Sequence, residues 1–231
     1  MHFLMGLMLS GLLTISLPVN AQIGEITESS GKVQVKTVKA KRLEGVSGIA
    51  ISNGDMIKVR KKSIAHIQMK DESKFQIGAK TTLVFDDFLY DAKNQKMRAR
   101  IIDGALAYDG KKLVANSDRE FSNNGFTLTV RGTKFAGKFA VSSQVILLKG
   151  AIDVSGKGTK QSLTQPMQSL IFDKNGAGKP FNMTLEDIKS FFDDNNLDFE
   201  KLAGNEFDTS DSVSKGRTCK MVLGKMVCTS G

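Results

Sequence analysis

Residues 127–140 read TLTVRGTKFAGKFA, and Val130-Arg131-Gly132-Thr133 at their centre interrupts an alternation that begins at Phe126. In Phe126-Thr127-Leu128-Thr129-Val130 every second side chain is apolar, which is the period of a half-buried strand. An Arg-Gly pair inside such a run predicts a bulge or a corner, because Gly132 adopts the backbone conformation needed there without a Cβ penalty. Val130 then completes an inward row with Phe126 and Leu128, and the five donors of Arg131 reach nearby carbonyls or a carboxylate and lock the corner. A structural role for Arg131, Gly132 and Thr133 is expected ahead of ligand binding.

The same alternation recurs in Lys32-Val33-Gln34-Val35, in Ala65-His66-Ile67-Gln68-Met69 and in Met97-Arg98-Ala99-Arg100-Ile101. Turn signals stand between such runs: Asn53-Gly54-Asp55, Lys70-Asp71-Glu72-Ser73, Asp103-Gly104, Asp109-Gly110, Asn123-Asn124-Gly125 and Lys149-Gly150. Short strands at intervals of roughly 8–12 residues predict an antiparallel sandwich or roll over residues 22–156. Residues 157–182 read as a linker with one further edge strand. After Pro180 the period changes: Thr184 caps a helix with Glu186 and Asp187 in its first turn, and Leu185, Ile188, Phe191 and Phe192 form an apolar face expected to pack on the β body. A second short helix, about 198–202, ends at Gly204. These make a small helical segment over 183–204, followed by a polar tail over 205–231.

Residues 1–21 read as a signal peptide, with an apolar run from Phe3 to Leu17 and small residues before Gln22. Cleavage after Ala21 is expected, with a retained anchor as the alternative. Export predicts a periplasmic protein, or an extracellular one. Cys219 and Cys228, spaced C-x8-C, face each other if the two short β-prone arms that meet near Leu223-Gly224-Lys225 form a hairpin, so a disulfide is expected, with half of a metal site as the alternative. Charge divides the chain: residues 22–165 hold 25 Lys and Arg against 14 Asp and Glu (+11), while 166–231 hold 8 against 10 (−2).

Catalysis finds little support in the residues. The mature chain has a single histidine, His66, on the polar side of its strand, and no HExxH, GxSxG or SxxK arrangement is present. The glycines of 150–158 and 176–180 miss P-loop spacing, and Asp194-Asn195-Asn196-Leu197-Asp198 has Phe199 where a calcium loop requires glycine. No cofactor or metal is expected. Basic residues are more suggestive. Lys58, Arg60, Lys61 and Lys62 form one cluster, Lys36, Lys39, Lys41 and Arg42 a second, and Arg98 and Arg100 share one face of a strand. Such a surface attracts a polyanion, or is simply solvated. Aromatic stacking platforms are missing and export is expected, so nucleic acid is not an expected partner. Envelope proteins, anionic envelope polymers or carbohydrate, and peripheral membrane contact fit better.

Taken in order, Gly31-Lys32-Val33-Gln34-Val35, Gly54-Asp55-Met56-Ile57, Ser63 to Asp71 leading to Ser73, Thr82-Leu83, Gly104-Ala105-Leu106, Val130 to Phe135 and Lys149 to Val154 resemble the FecR domain family. This is the periplasmic domain first known from an iron-dicitrate signalling regulator. The resemblance covers about residues 24–156. Glu72 stands where the family usually has glycine, and Phe121-Ser122-Asn123-Asn124-Gly125 where it often has proline. The family's regulators carry a cytoplasmic anti-sigma region and a membrane span before the domain, whereas a signal segment precedes it here. The resemblance implies an all-β, jelly-roll-like sandwich with a binding or signal-relaying role rather than catalysis.

Overall fold

The structure is a computed structural model that describes residues 22–91, 94–111 and 117–204, with the backbone of 217–222 and 225–230. The expected signal peptide lies outside the described residues. The first strands are β1 (Gln22–Ser30), β2 (Val33–Lys36), β3 (Arg42–Glu44), β4 (Ala50–Ser52), β5 (Met56–Val59), β6 (Ile64–Met69), β7 (Lys74–Ile77) and β8 (Thr81–Tyr90). Three longer ones dominate the middle, β9 (Gln95–Asp109), β11 (Phe126–Phe139) and β12 (Ser142–Gly156), with β10 (Ser117–Asn123) between them. Then come β13 (Thr159–Leu163), β14 (Gln168–Asp173), β15 (Gly176–Ala177), β16 (Phe181–Asn182) and the helices α1 (Leu185–Asp194) and α2 (Phe199–Ala203).

The three long strands each belong to two layers. The first half of β9 pairs with β8 and, in parallel, with β10, while its second half pairs with β7 and β11. β11 and β12 stay partners throughout. Their register shifts between Arg131 and Lys134, and the remaining neighbours change there from β10 and β13 to β9 and β14. One layer therefore runs β3-β2-β5-β8-β9-β10-β11-β12-β13, and the other β4-β1-β6-β7-β9-β11-β12-β14, joined through the shared strands. Asp103-Gly104 and Lys149-Gly150, expected as turns between strands, lie inside continuous strands. The reason is local: Gly132 (φ 55) and Gly150 (φ 85) lie opposite one another at the bend in the left-handed region, which redirects a strand without reversing it. A Cβ on Gly150 would stand 2.5 Å from the Gly132 carbonyl oxygen.

The layers enclose one core. Phe126, Leu128 and Val130 point into it as the alternation predicts, each at most 2% exposed. Phe75 meets Phe85 edge-on at 5.2 Å and Tyr108 at 4.9 Å, and Phe121 packs on both Tyr108 and Phe135 at 5.0 Å, linking rings from both layers. A second apolar cluster lies on the outer face of the second layer, where Ala105, Ala107, Ala136, Ile146 and Leu148 receive Ile188, Phe192, Phe199 and Leu202. Small side chains at three of these strand positions let the helices approach closely. Strands covered on both faces lose the alternation, so Ala105-Leu106-Ala107-Tyr108 and Val145-Ile146-Leu147-Leu148 are buried throughout.

Thr184 and Asp187 form a capping box on α1, Asp198 caps α2, and Gly204 ends it. The Gln76 side chain fixes the connection, its Nε2 donating to the Asp198 carbonyl at 2.9 Å and its Oε1 accepting from the Asp198 N–H at 2.8 Å. Residues 157–182, read as a linker with one edge strand, contribute β13 to one layer and β14, β15 and β16 to the other. At the C-terminus β17 (Arg217–Val222) and β18 (Lys225–Ser230) form an antiparallel hairpin with Cys219 in register with Cys228, although the side chains that would form the disulfide lie outside what is described. No helix among the described residues is long and apolar enough to cross a membrane.

Candidate functional site

Within the Arg-Gly-Thr corner the buried work is done by Thr133, which is 1% exposed. Its hydroxyl donates to the Ala151 carbonyl at 2.8 Å and accepts the Arg131 N–H at 2.9 Å, satisfying backbone groups that the register shift leaves without ladder partners. The Arg131 side chain is 69% exposed and makes one ion pair, Nη2 to Asp153 Oδ2 at 2.9 Å. Asp153 also accepts from the Ser162 hydroxyl at 2.6 Å, so this outer row ties three neighbouring strands together.

A second polar constellation is fully inside. Arg119 and Asp71, 2% and 3% exposed, pair at 2.7 Å between Nη2 and Oδ2. The other Asp71 oxygen accepts from the backbone N–H and hydroxyl of Ser73, at 3.0 and 2.6 Å. Arg119 Nη1 donates to the Tyr108 hydroxyl at 2.9 Å and to the Lys111 carbonyl at 3.2 Å. Burial pushes the Tyr108 hydroxyl pKa well above its ordinary value, against the opposing pull of Arg119. This set ties the β6–β7 turn to the ends of β9 and β10. The Asp-Glu-Ser turn signal gave no hint of a buried charge. Arg119 also escaped sequence reading because Ser117-Asp118-Arg119-Glu120 looks like surface. Its spacing was the available sign, since Arg119, Phe121 and Asn123 alternate onto the inward face of β10.

The predicted basic residues divide into two groups. Arg100 is held by Asp86 through two bonds of 2.7 and 3.1 Å, which raise its pKa, and Arg98 by Glu120 at 3.1 Å and Asp118 at 3.6 Å. Lys58 and Arg60 instead join Lys36 and Arg42, from the other sequence cluster, along a shallow groove of about 280 Å³ on the outer face of β2, β3 and β5. Lys61 and Lys62 occupy the exposed turn that follows.

A cleft of about 260 Å³ lies between the outer face of β1, β6 and β7 and helix α2. His66, expected on the surface, is half-buried here, because α2 lies over its strand. Burial and the Lys201 ammonium lower its pKa, while Lys201 pairs with Glu28 at 2.5 Å and lowers that carboxyl. Asp198 also acts on the histidine, Asp109 and Lys74 line the same cleft, and Lys134 reaches Asp109 and the Leu202 carbonyl beside it. No His, Cys, Asp or Glu cluster able to hold a metal is found among the described residues.

No curated protein matches the chain. Two crystal structures of candidate anti-sigma factors from Parabacteroides distasonis ATCC 8503 are similar in structure. The first is 13% identical with a TM-score of 0.51, covering 76% of this chain and 99% of that one. The second is 13% identical with a TM-score of 0.49, covering 76% and 98%. At such identity the first likeness speaks to the fold alone. The FecR protein family matches residues 55–154, a span that contains Asp71, Ser73, Tyr108, Arg119 and the whole Arg131-Gly132-Thr133 corner. Those residues, from Asp55 at the head of β5 to Val154 beyond the bend of β12, are a FecR domain.

Proposed function

We propose that this chain is an exported, non-catalytic binding and signal-relay module of the cell envelope. The FecR domain over residues 55–154 carries this reading, since that family and proteins of the anti-sigma type act in signalling through other proteins. The disposition of the polar residues supports it. Asp71, Arg119 and Tyr108 are committed to one another inside the sandwich, Thr133 is committed to the backbone of its own corner, and the lone histidine of the exported chain lies half-buried beside α2. Export with cleavage after Ala21 would place Cys219 and Cys228, partners in the hairpin register, where a disulfide forms.

Fractionation of the producing cell, with N-terminal sequencing of the mature protein, is expected to find it outside the cytoplasm beginning at Gln22. Crosslinking in intact envelopes is expected to yield a complex with one envelope protein that re-forms from purified components at moderate salt. A cytoplasmic location, or no specific partner after crosslinking, overturns the proposal.

A further inference from the structure

The outer face of β2, β3 and β5 concentrates charge that the fold does not use. Residues 32–62 hold nine Lys and Arg against Glu44 and Asp55, a net +7. Asp55 is buried and accepts the Val38 and Ser52 N–H groups, leaving Glu44 as the one acidic side chain this segment turns outward.

Register places the cations with some precision. Arg42 on β3 stands directly opposite Lys36 on β2. Gln34 stands opposite Lys58 on β5, so Lys58 lies one strand over and one outward position along from Lys36. Arg60 follows Lys58 on the same face, its N–H bonded to the Lys32 carbonyl at 3.0 Å and its guanidinium 3.5 Å from Gln34 Oε1. With strands about 4.8 Å apart and outward residues about 6.7 Å apart along a strand, the four charges follow one oblique path across the face in steps of roughly 5 to 8 Å.

Two features separate this line from ordinary surface charge. Arg98, Arg100, Arg119 and Arg131 each have a carboxylate partner, whereas Arg42 and Arg60 make no ion pair among the described residues. Like charges directly opposite each other, as at Arg42 and Lys36, destabilise a strand pair, so the sheet alone gives no reason for the arrangement. An external anion removes that repulsion.

We infer that the groove of Lys36, Arg42, Lys58 and Arg60 binds a linear anionic polymer bearing sulfate or phosphate groups along its length. The linear order of the charges favours a chain over a bilayer. So does the lining, in which Val35 is buried, Met56 is half-buried and no large apolar side chain projects as membrane insertion requires. The inference stands apart from the protein-relay reading, and either holds without the other.

The probe is dextran sulfate, titrated into the full-length mature protein over a range of salt, with neutral dextran and anionic phosphatidylglycerol vesicles as separate arms. Saturable binding to dextran sulfate that weakens steeply with salt is expected. The triple variant R42Q/K58Q/R60Q is expected to lose about tenfold or more in affinity and about 2–3 units of log–log salt slope. Its melting temperature should not fall, since it relieves like-charge repulsion. The control R98Q/R100Q, which removes cations already neutralised, should keep its affinity within about twofold. Equal loss in both variants, no binding at low salt, or binding to vesicles but not to dextran sulfate overturns the inference.

Discussion

Arg119 and Arg131 both lie on strands of the FecR domain, both meet an aspartate within 3 Å, and only one of them sits inside. The Arg119–Asp71 pair is closed off from solvent and held by Ser73, Tyr108, the Lys111 carbonyl and Gln95 Oε1, with Arg119 Nε left without a hydrogen-bond partner. The Arg131–Asp153 pair lies on the outer face, where water competes for both partners. Burying a charge pair costs desolvation that its own attraction barely offsets, so such a pair adds little net stability but is very costly to break. An exposed pair costs little to form and little to lose. The motif prominent in the sequence therefore rests on its threonine and glycine, while the arginine that matters most to the fold lies in an inconspicuous polar stretch.

The largest expected effect follows from breaking the inner pair. Arg119→Ala strands the Asp71 carboxylate in the core and should cost about 3–5 kcal/mol, seen as a fall in melting temperature of about 10 °C or more. Combining D71N with R119M removes both charges and should regain a good part of that loss. A double-mutant cycle showing simple additivity would mean the two side chains are not coupled. Next comes the corner. Thr133→Val keeps the shape but orphans the Ala151 carbonyl and the Arg131 N–H, for an expected loss of about 1–3 kcal/mol in chemical denaturation. A smaller effect is expected from Arg131→Ala, about 0–1 kcal/mol after solvent screening. A loss as large as that of T133V would show that the exposed arginine, rather than the threonine, holds the bend.

The smallest effect is a pH dependence at the seat of α2. The folded-state pKa of His66 is lowered below its ordinary 6.5, so between the two values the unfolded chain binds the extra proton. Stability is therefore complete above about pH 6.5 and declines as the pH falls from there toward the folded value. Glu28, also lowered, contributes stability above its ordinary 4.5 that is lost as the pH falls through its folded value. Wild type should lose stability on acidification below pH 6.5, and H66Q should lose less of it. Identical profiles for the two proteins would remove His66 from the account.

Much of the architecture was readable because one-sided burial writes itself as alternation. Phe126, Leu128 and Val130 were legible as an inward row, as were the Thr184 cap and the apolar face of α1, since local periodicity and capping chemistry need no distant partner. The bends at Gly104 and Gly150 were misread as turns, because Asp-Gly and Lys-Gly look the same whether the chain reverses or only changes layer. His66 looked exposed because the helix that covers it begins more than a hundred residues later. Likewise, Lys36 and Arg42 appeared as one cluster and Lys58 and Arg60 as another until antiparallel pairing of β2 with β5 put them in one groove.

The amino-acid sequence by itself determined that this is a β protein with a corner at Arg131-Gly132-Thr133, a basic N-terminal body and a short helical appendage, because those properties follow from the spacing of neighbouring residues. Only the tertiary structure decided which charges are spent and which are free. Asp71 and Arg119 are 48 positions apart in the chain, and whether a cation meets a carboxylate depends on which strands become neighbours. Strand neighbourhood is set by long-range packing of two layers around a shared core, and no local stretch of sequence records it.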